Sequence, residues 1–228
     1  MIFADDCWIK TSTGTCVSIC AQSDFSFLKN PIVLIGGVHG DEPEGVHLAR
    51  ETLKWLRSEE QSTLVDWVAI PCLNIDGFNQ KKRVNAHGVD LNRNFPSKDW
   101  SPHFDKDRYF PGTTPGSEIE VQALVGLIQK LQPRLIIHCH SWEPCIVYTG
   151  ERGRKDSERL AKCSGYVAKP DIGYATPGSL GQYGCFDAQI PVICIEEQEN
   201  LSDRSVIWPR FEKAMKEIFR DKSNRKAT

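Results

Sequence analysis

In His39-Gly40-Asp41-Glu42 an imidazole and a carboxylate stand three residues apart, just past the apolar run 32–38. An HxxE pair of this kind can set both groups around one ion, although a four-residue match also recurs by chance. A second imidazole leaves another apolar run at Ile137-His138-Cys139-His140-Ser141. Alternation along a strand turns His138 and His140 to the same face, so periodicity does not choose between them. His140 is preferred because it lies nearer the strand end, and His138 is read as a core histidine or a support for its neighbour. His39, Glu42 and His140 would leave a fourth position open, the arrangement in which zinc keeps a water and lowers its pKa toward about 7. A third apolar run, Pro191-Val192-Ile193-Cys194-Ile195, ends in Glu196. A carboxylate there would be partly desolvated, which raises its pKa and suits a group that takes a proton from water and hands it to a leaving amine. Between these ends lies Asn92-Arg93. A planar guanidinium beside a neutral amide donor is a fitting receptor for a terminal carboxylate, although loop arginines are more often simply solvated.

The elements that would position these groups follow from hydrophobic patterning. Strand-like runs at 32–38, 65–72, 134–140 and 191–196 alternate with helical segments at 44–57, near 157–167 and near 206–219. Ser117-Glu118-Ile119-Glu120 reads as a capping box opening a further helix, which Pro133 then blocks. Strands apolar on both faces and separated by helices imply a three-layer α/β/α sandwich around a mixed, largely parallel sheet. In such sheets binding groups gather at the carboxyl ends of strands, and every residue named above falls at such an end or in the stretch 77–117. That stretch has little periodicity and is far longer than an ordinary connection, and loops of that kind carry function or disorder.

Composition narrows the class. The chain has 228 residues, 40% of them hydrophobic and 25% charged, with 28 basic and 30 acidic side chains giving a formal charge of −2. These values fit an ordinary globular protein and supply no basic footprint for nucleic acid. No repeat or Gly/Ser linker divides the sequence, so one domain over 1–228 is expected. No apolar run approaches the roughly 20 residues of a membrane span, and the first residues lack the pattern of a secretion signal, so a cytoplasmic protein is expected. Nine cysteines without a CxxC pair read as buried, reduced thiols and not as a disulfide framework. Cys139 alternates away from both neighbouring histidines, which makes it a core thiol and not a nucleophile.

Taken in order, His39-x-x-Glu42, Asn74-x-Asp76-Gly77, Arg83, Gly88-Val89-Asp90-Leu91-Asn92-Arg93-Asn94, Ser117 to Glu120, His140-Ser141 and Glu196 resemble the zinc carboxypeptidase family over roughly residues 31 to 200. Within the family the likeness is nearest to its bacterial murein-amidase branch, through His39 to Glu42, Gly88 to Pro96, Pro115 to Glu118 and Gly173-Tyr174-Ala175-Thr176-Pro177-Gly178-Ser179. The resemblance implies one zinc held by His39, Glu42 and His140, with Glu196 as general base and acid. It implies that Arg83 stabilises the oxyanion, that Asn92 and Arg93 hold the substrate's free carboxylate, and that Asp90 accepts the other ring N–H of His39. The substrate it implies is a small murein peptide, cleaved between γ-D-glutamate and meso-diaminopimelate. Ile75 stands where the family usually has proline, and Tyr174 lies near the position of a family tyrosine without a settled register.

Rival readings are an N-acyl amino acid deacylase of aspartoacylase type, a general C-terminal exopeptidase on L-peptides, and a ligand-binding pseudoenzyme. The Asn74-x-Asp76-Gly77 element and the Ser117 to Glu120 helix start speak for the peptidase side. Smaller features mostly receive ordinary readings: His47, His87 and His103 solvated, and Trp55, Trp67 and Trp208 in the core; Trp142, which follows Ser141, is an alternative candidate for lining the cleft, and Leu180, after the Pro-Gly-Ser turn, for the specificity pocket. The sequence is silent on oligomeric state.

Overall fold

The computed structural model describes Met1 to Lys222; the last six residues of the expected 1–228 unit lie outside the described residues. Eight strands form one sheet: β1 (Phe3–Lys10), β2 (Cys16–Ala21), β3 (Ile32–Gly36), β4 (Trp67–Ile70), β5 (Leu135–Trp142), β6 (Cys145–Thr149), β7 (Val167–Lys169) and β8 (Val192–Gln198). Their order is β1-β2-β4-β3-β5-β8-β6-β7. The centre, β4-β3-β5-β8, is parallel, whereas β1, β2 and β6 introduce antiparallel pairs on either side. Six helices complete the fold: α1 (Pro43–Ser58), α2 (Ile75–Gln80), α3 (Ile119–Leu131), α4 (Arg154–Ser164), α5 (Leu180–Gln182, continuing as a wider turn to Asp187) and α6 (Ile207–Arg220).

Strand alternation divides the core in two. Ile32, Leu34, Ile137, Ile193 and Ile195 pack beneath α1, α4 and α6, while Val33, Ile35, Ile136 and Val192 pack beneath α3 and the segments around Phe95 and Tyr183. The sheet is thus covered on both faces, as its unbroken apolar strands require. Pro43 opens α1 where its missing N–H would have had no partner. Gln132 in the left-handed region ends α3 just before Pro133.

Three expectations are corrected. The hairpin β1–β2 and the strands β6 and β7 add to the expected strands; β1 and β2 carry mixed exposure and β7 has only three residues, so these escape an apolar-run search. Cys7 and Cys16 are bridged, with Cα atoms 4.6 Å apart across the β1–β2 hairpin, whereas seven cysteines remain free. Cys7 lies where the register of β1 shifts, between Asp5 and Ile9, an irregularity that no Cys spacing announces. The capping box does not form either: Ser117 Oγ donates to Glu118 Oε1 and α3 begins at Ile119 without a side-chain cap. Ser117 and Glu118 are occupied instead by Asn94, Asn85 and His87 of the long loop, so His87 is bonded and not merely solvated. No helix among the described residues is long and apolar enough to cross a membrane.

Candidate active site

Register builds the site from the sheet upward. In the parallel pair β5–β8, His138 stands opposite Cys194 and His140 opposite Glu196. In the antiparallel pair β8–β6 the same rows continue to Val147 and Cys145. His140 and Glu196 are therefore neighbours on one face, at the carboxyl end of the parallel core. Beside them β3 ends at Gly36, and the chain turns through Gly37, with φ of 60°, to bring His39 and then Glu42 to the start of α1. A Cβ on Gly45 would lie 2.2 Å from the Cys139 carbonyl oxygen, so only glycine lets α1 approach β5 closely enough to seat Glu42.

The three donors meet. His39 Nδ1 lies 2.7 Å from Glu42 Oε1, His140 Nδ1 lies 2.7 Å from Glu42 Oε2, and the two ring nitrogens are 3.0 Å apart. All three side chains are buried. Burial opposes a charge on Glu42, yet the two imidazoles hold its pKa well below the usual carboxylate range. His39 Nε2 lies 3.1 Å from Asp90 Oδ1, an acceptor, so the proton sits on that nitrogen and Nδ1 is left to hold a second proton or a metal ion. Two imidazoles and a carboxylate converging through lone pairs fit a zinc ion with an open position. A second trio, His138, His140 and Cys194, also converges. Burial pushes its thiol well up, however, and Cys194 Sγ is 3.2 Å from Glu196 Oε1, which makes it a poorer ligand set.

Arg83 spans the trio, donating from Nε to Asp90 Oδ2 at 2.9 Å with Nη1 3.4 Å from Glu42 Oε1. Asp90 is fully buried and accepts from three groups, Oδ1 also taking the Asn92 N–H. Asn92 Oδ1 accepts from the Leu180 backbone N–H, and Arg93 Nη1 donates to the Asn92 carbonyl. Burial lifts the Glu196 pKa above its ordinary value, with the His140 ring opposing and the Glu42 carboxylate adding to the rise. His138, its Nδ1 2.9 Å from His140 Nε2, has its pKa pushed well below the ordinary imidazole value, chiefly by burial.

These groups open into a cleft of about 920 Å³ lined by His39, Glu42, Arg83, Asn92, Arg93 and Glu196. Every residue expected to act from the sequence is brought to this region, Asp90 lying behind the others. Trp142 and Tyr174 line the mouth as an edge-to-face pair with centroids 5.8 Å apart. Leu180 is a correction: it is fully buried in the α3-side core, and the cleft is lined instead by its neighbours Gly181 and Gln182. The sequence reading also passed over Arg108 and Tyr109. The Tyr109 ring stands 5.2 Å from the Arg83 guanidinium, 5.9 Å from that of Arg93 and 5.6 Å from that of Arg108. Only the length of the loop that carries them gave a signal.

Comparison with known proteins gives a consistent picture. The zinc carboxypeptidase family matches residues 22–180. The chain is 32% identical over 182 residues to murein peptide amidase A of Escherichia coli K12, covering 72% of this chain and 73% of that protein. To the Vibrio campbellii protein of the same name it is 29% identical, covering 72% and 68%. The crystal structure of a murein-tripeptide amidase from Escherichia coli O157 superposes with a TM-score of 0.75 at 28% identity, over 95% of this chain and 91% of that one. Thrombin-activatable fibrinolysis inhibitor, at 20% identity and a TM-score of 0.78, shares the fold over 99% of this chain and 72% of its own.

Proposed function

From its place in the zinc carboxypeptidase family, to which this chain belongs, we propose that it hydrolyses the amide between γ-D-glutamate and meso-diaminopimelate in small murein peptides. The protein is a metallopeptidase-type amide hydrolase. The convergence of His39, Glu42 and His140 beside Glu196, in a cleft that also holds Asn92 and Arg93, supports hydrolysis of an amide next to a free terminal carboxylate. The murein substrate is supported by the likeness to murein peptide amidase A, 32% identical over the 182 aligned residues.

In this reading His39, Glu42 and His140 hold one zinc ion. Bound there, zinc supplies a Lewis acid that polarises the scissile carbonyl and acidifies water. Glu196, with a pKa raised by burial, accepts the water's proton and returns it to the leaving amine. Arg83, oriented by Asp90, places its guanidinium where the oxyanion develops. Asn92 and Arg93 hold the free α-carboxylate of the residue that leaves. Asp90 fixes the His39 tautomer. We propose further that residues 1–228 form one catalytic domain. The seven free cysteines support a reducing, cytoplasmic setting, and the Cys7–Cys16 bridge is the feature that weighs against it.

The test is release of diaminopimelate from L-alanyl-γ-D-glutamyl-meso-diaminopimelate by the zinc-loaded protein, read by mass spectrometry beside Glu196→Gln. Release by wild type, with a loss of about 10²- to 10⁴-fold in a variant that still holds zinc, is expected. Full activity of Glu196→Gln would remove the base assignment. Failure of the wild type on this peptide, with release of amino acids from N-blocked L-dipeptides, would move the substrate to ordinary peptides.

A further inference from the structure

The cleft is lined by three arginines, and the reaction proposed above employs two of them. Arg83 is tied to Asp90 and Glu42, and Arg93 sits beside Asn92 in the segment that Leu180 and Gly178 hold from the far side. Arg108 is left. It lines the same cleft, its side chain is 53% exposed, and its Nη2 lies 3.3 Å from Asp41 Oδ2. Asp41 belongs to the His39–Glu42 turn, so Arg108 is anchored on the metal-ligand loop, whereas Asn92 and Arg93 are anchored on the loop before α5. Arg108 and the Asn92-Arg93 pair thus hang from different loops, with the Tyr109 ring 5.6 Å from the Arg108 guanidinium and 5.9 Å from that of Arg93. That ring supports Arg108 from below. An exposed ion pair such as Arg108–Asp41 is weak, so an incoming carboxylate can take the guanidinium over.

A glutamate joined through its side-chain carboxyl differs from an ordinary peptide residue in one respect: it keeps a free α-carboxylate on the acyl side of the scissile amide. Resting on the γ-glutamyl reading, we propose that Arg108 binds this second carboxylate, and that the cleft thereby selects γ-linked acidic acyl groups over ordinary L-peptides. Arg108 is then a specificity-determining residue, one step removed from the bond that breaks.

The experiment compares two peptides, L-alanyl-γ-D-glutamyl-meso-diaminopimelate and the same peptide with 4-aminobutanoate in place of glutamate, which lacks only the α-carboxylate. The readout is the ratio of kcat/KM values for the two peptides within one enzyme preparation, so that any loss of folded protein cancels. For the wild type we expect a ratio of about 10 to 100 in favour of the glutamyl peptide, the size of a charge-assisted hydrogen bond, expressed chiefly in KM. Arg108→Gln should bring the ratio close to one, and Arg108→Lys should recover part of it. A wild-type ratio near one, or a wild-type ratio retained in Arg108→Gln, would overturn the assignment and leave the murein substrate standing. If the wild type cleaves neither tripeptide yet releases amino acids from N-blocked dipeptides, the γ-glutamyl reading falls and the role of Arg108 falls with it.

Discussion

Asp90→Asn isolates the buried group on which most of the site leans. Asp90 Oδ1 takes the His39 ring N–H and the Asn92 backbone N–H, while Oδ2 takes Arg83 Nε. An asparagine has one oxygen for these three donors. If it keeps His39 and Asn92, its NH₂ faces the Arg83 N–H, two donors head to head, and the guanidinium loses its buried counter-charge. If it turns the other way, His39 loses the acceptor that fixes its tautomer. Removing one partner of a buried pair costs about 3–5 kcal/mol, and Glu42 near Arg83 Nη1 offsets part of that, so we expect about 3 kcal/mol. For a chain of this size that lowers the melting temperature by about 6–12 °C. Loss of the partner that orients a metal-binding histidine should also weaken zinc binding by about 10- to 100-fold. Thermal melts of the zinc-stripped protein and zinc competition against a chromophoric chelator read the two effects separately. A variant that melts within about 2 °C of wild type and binds zinc within about twofold would refute both the buried-pair reasoning and the assignment of His39 Nδ1 to the metal.

Arg93→Ala should raise KM by about 10- to 100-fold with a much smaller change in kcat, and should abolish the preference for a free terminal carboxylate over its amide; a preference that survives would count against the clamp. Gly45→Ala forces a methyl to 2.2 Å from the Cys139 carbonyl oxygen, so α1 must move off β5. A cost of about 1–3 kcal/mol in urea unfolding is expected, with weaker zinc binding because Glu42 travels with the helix. Glu118 is a pH probe: burial works against its charge, but hydrogen bonds from Ser117, Asn85 and His87 hold its pKa below the ordinary value. A depressed carboxylate stabilises the fold above its unfolded pKa of about 4.3 and loses that contribution as pH falls through the folded value. Glu118→Gln should therefore be less stable than wild type at pH 7, with the gap closing below about pH 4; a gap independent of pH would show that the charge is not what matters there.

What could be read in the sequence divides along physical lines. The central strands β3, β4, β5 and β8 are buried on both faces and so announce themselves as apolar runs, and the polar residues at their ends stand out against that background. The outer strands do not: β1 alternates between half-buried and exposed positions, and β7 has three residues. The Cys7–Cys16 bridge lies at a strand irregularity that only the pairing partner defines. At Ser117 a local rule lost to a tertiary one, since the hydroxyl that could cap α3 is bonded to Glu118 and Asn94. Leu180 and Arg108 exchanged the parts that their neighbourhoods suggested. The residue beside a conspicuous turn is core, whereas an arginine in a patternless loop lines the cleft, because which side chain faces inward is settled by contacts across more than 60 residues.

The pairing of His140 with Glu196 in adjacent parallel strands has a consequence for how this site can change. Their separation is set by the spacing between hydrogen-bonded strands, about 4.8 Å, and a slip of one residue in either strand would turn that strand's donor into the opposite layer. The proposed proton carrier and one proposed metal donor thus share a rigid rail. Arg108, Tyr109 and Tyr174 sit on long connections that can be lengthened or exchanged at modest entropic cost. A designer seeking a new substrate for this scaffold should graft loops and leave the rail alone.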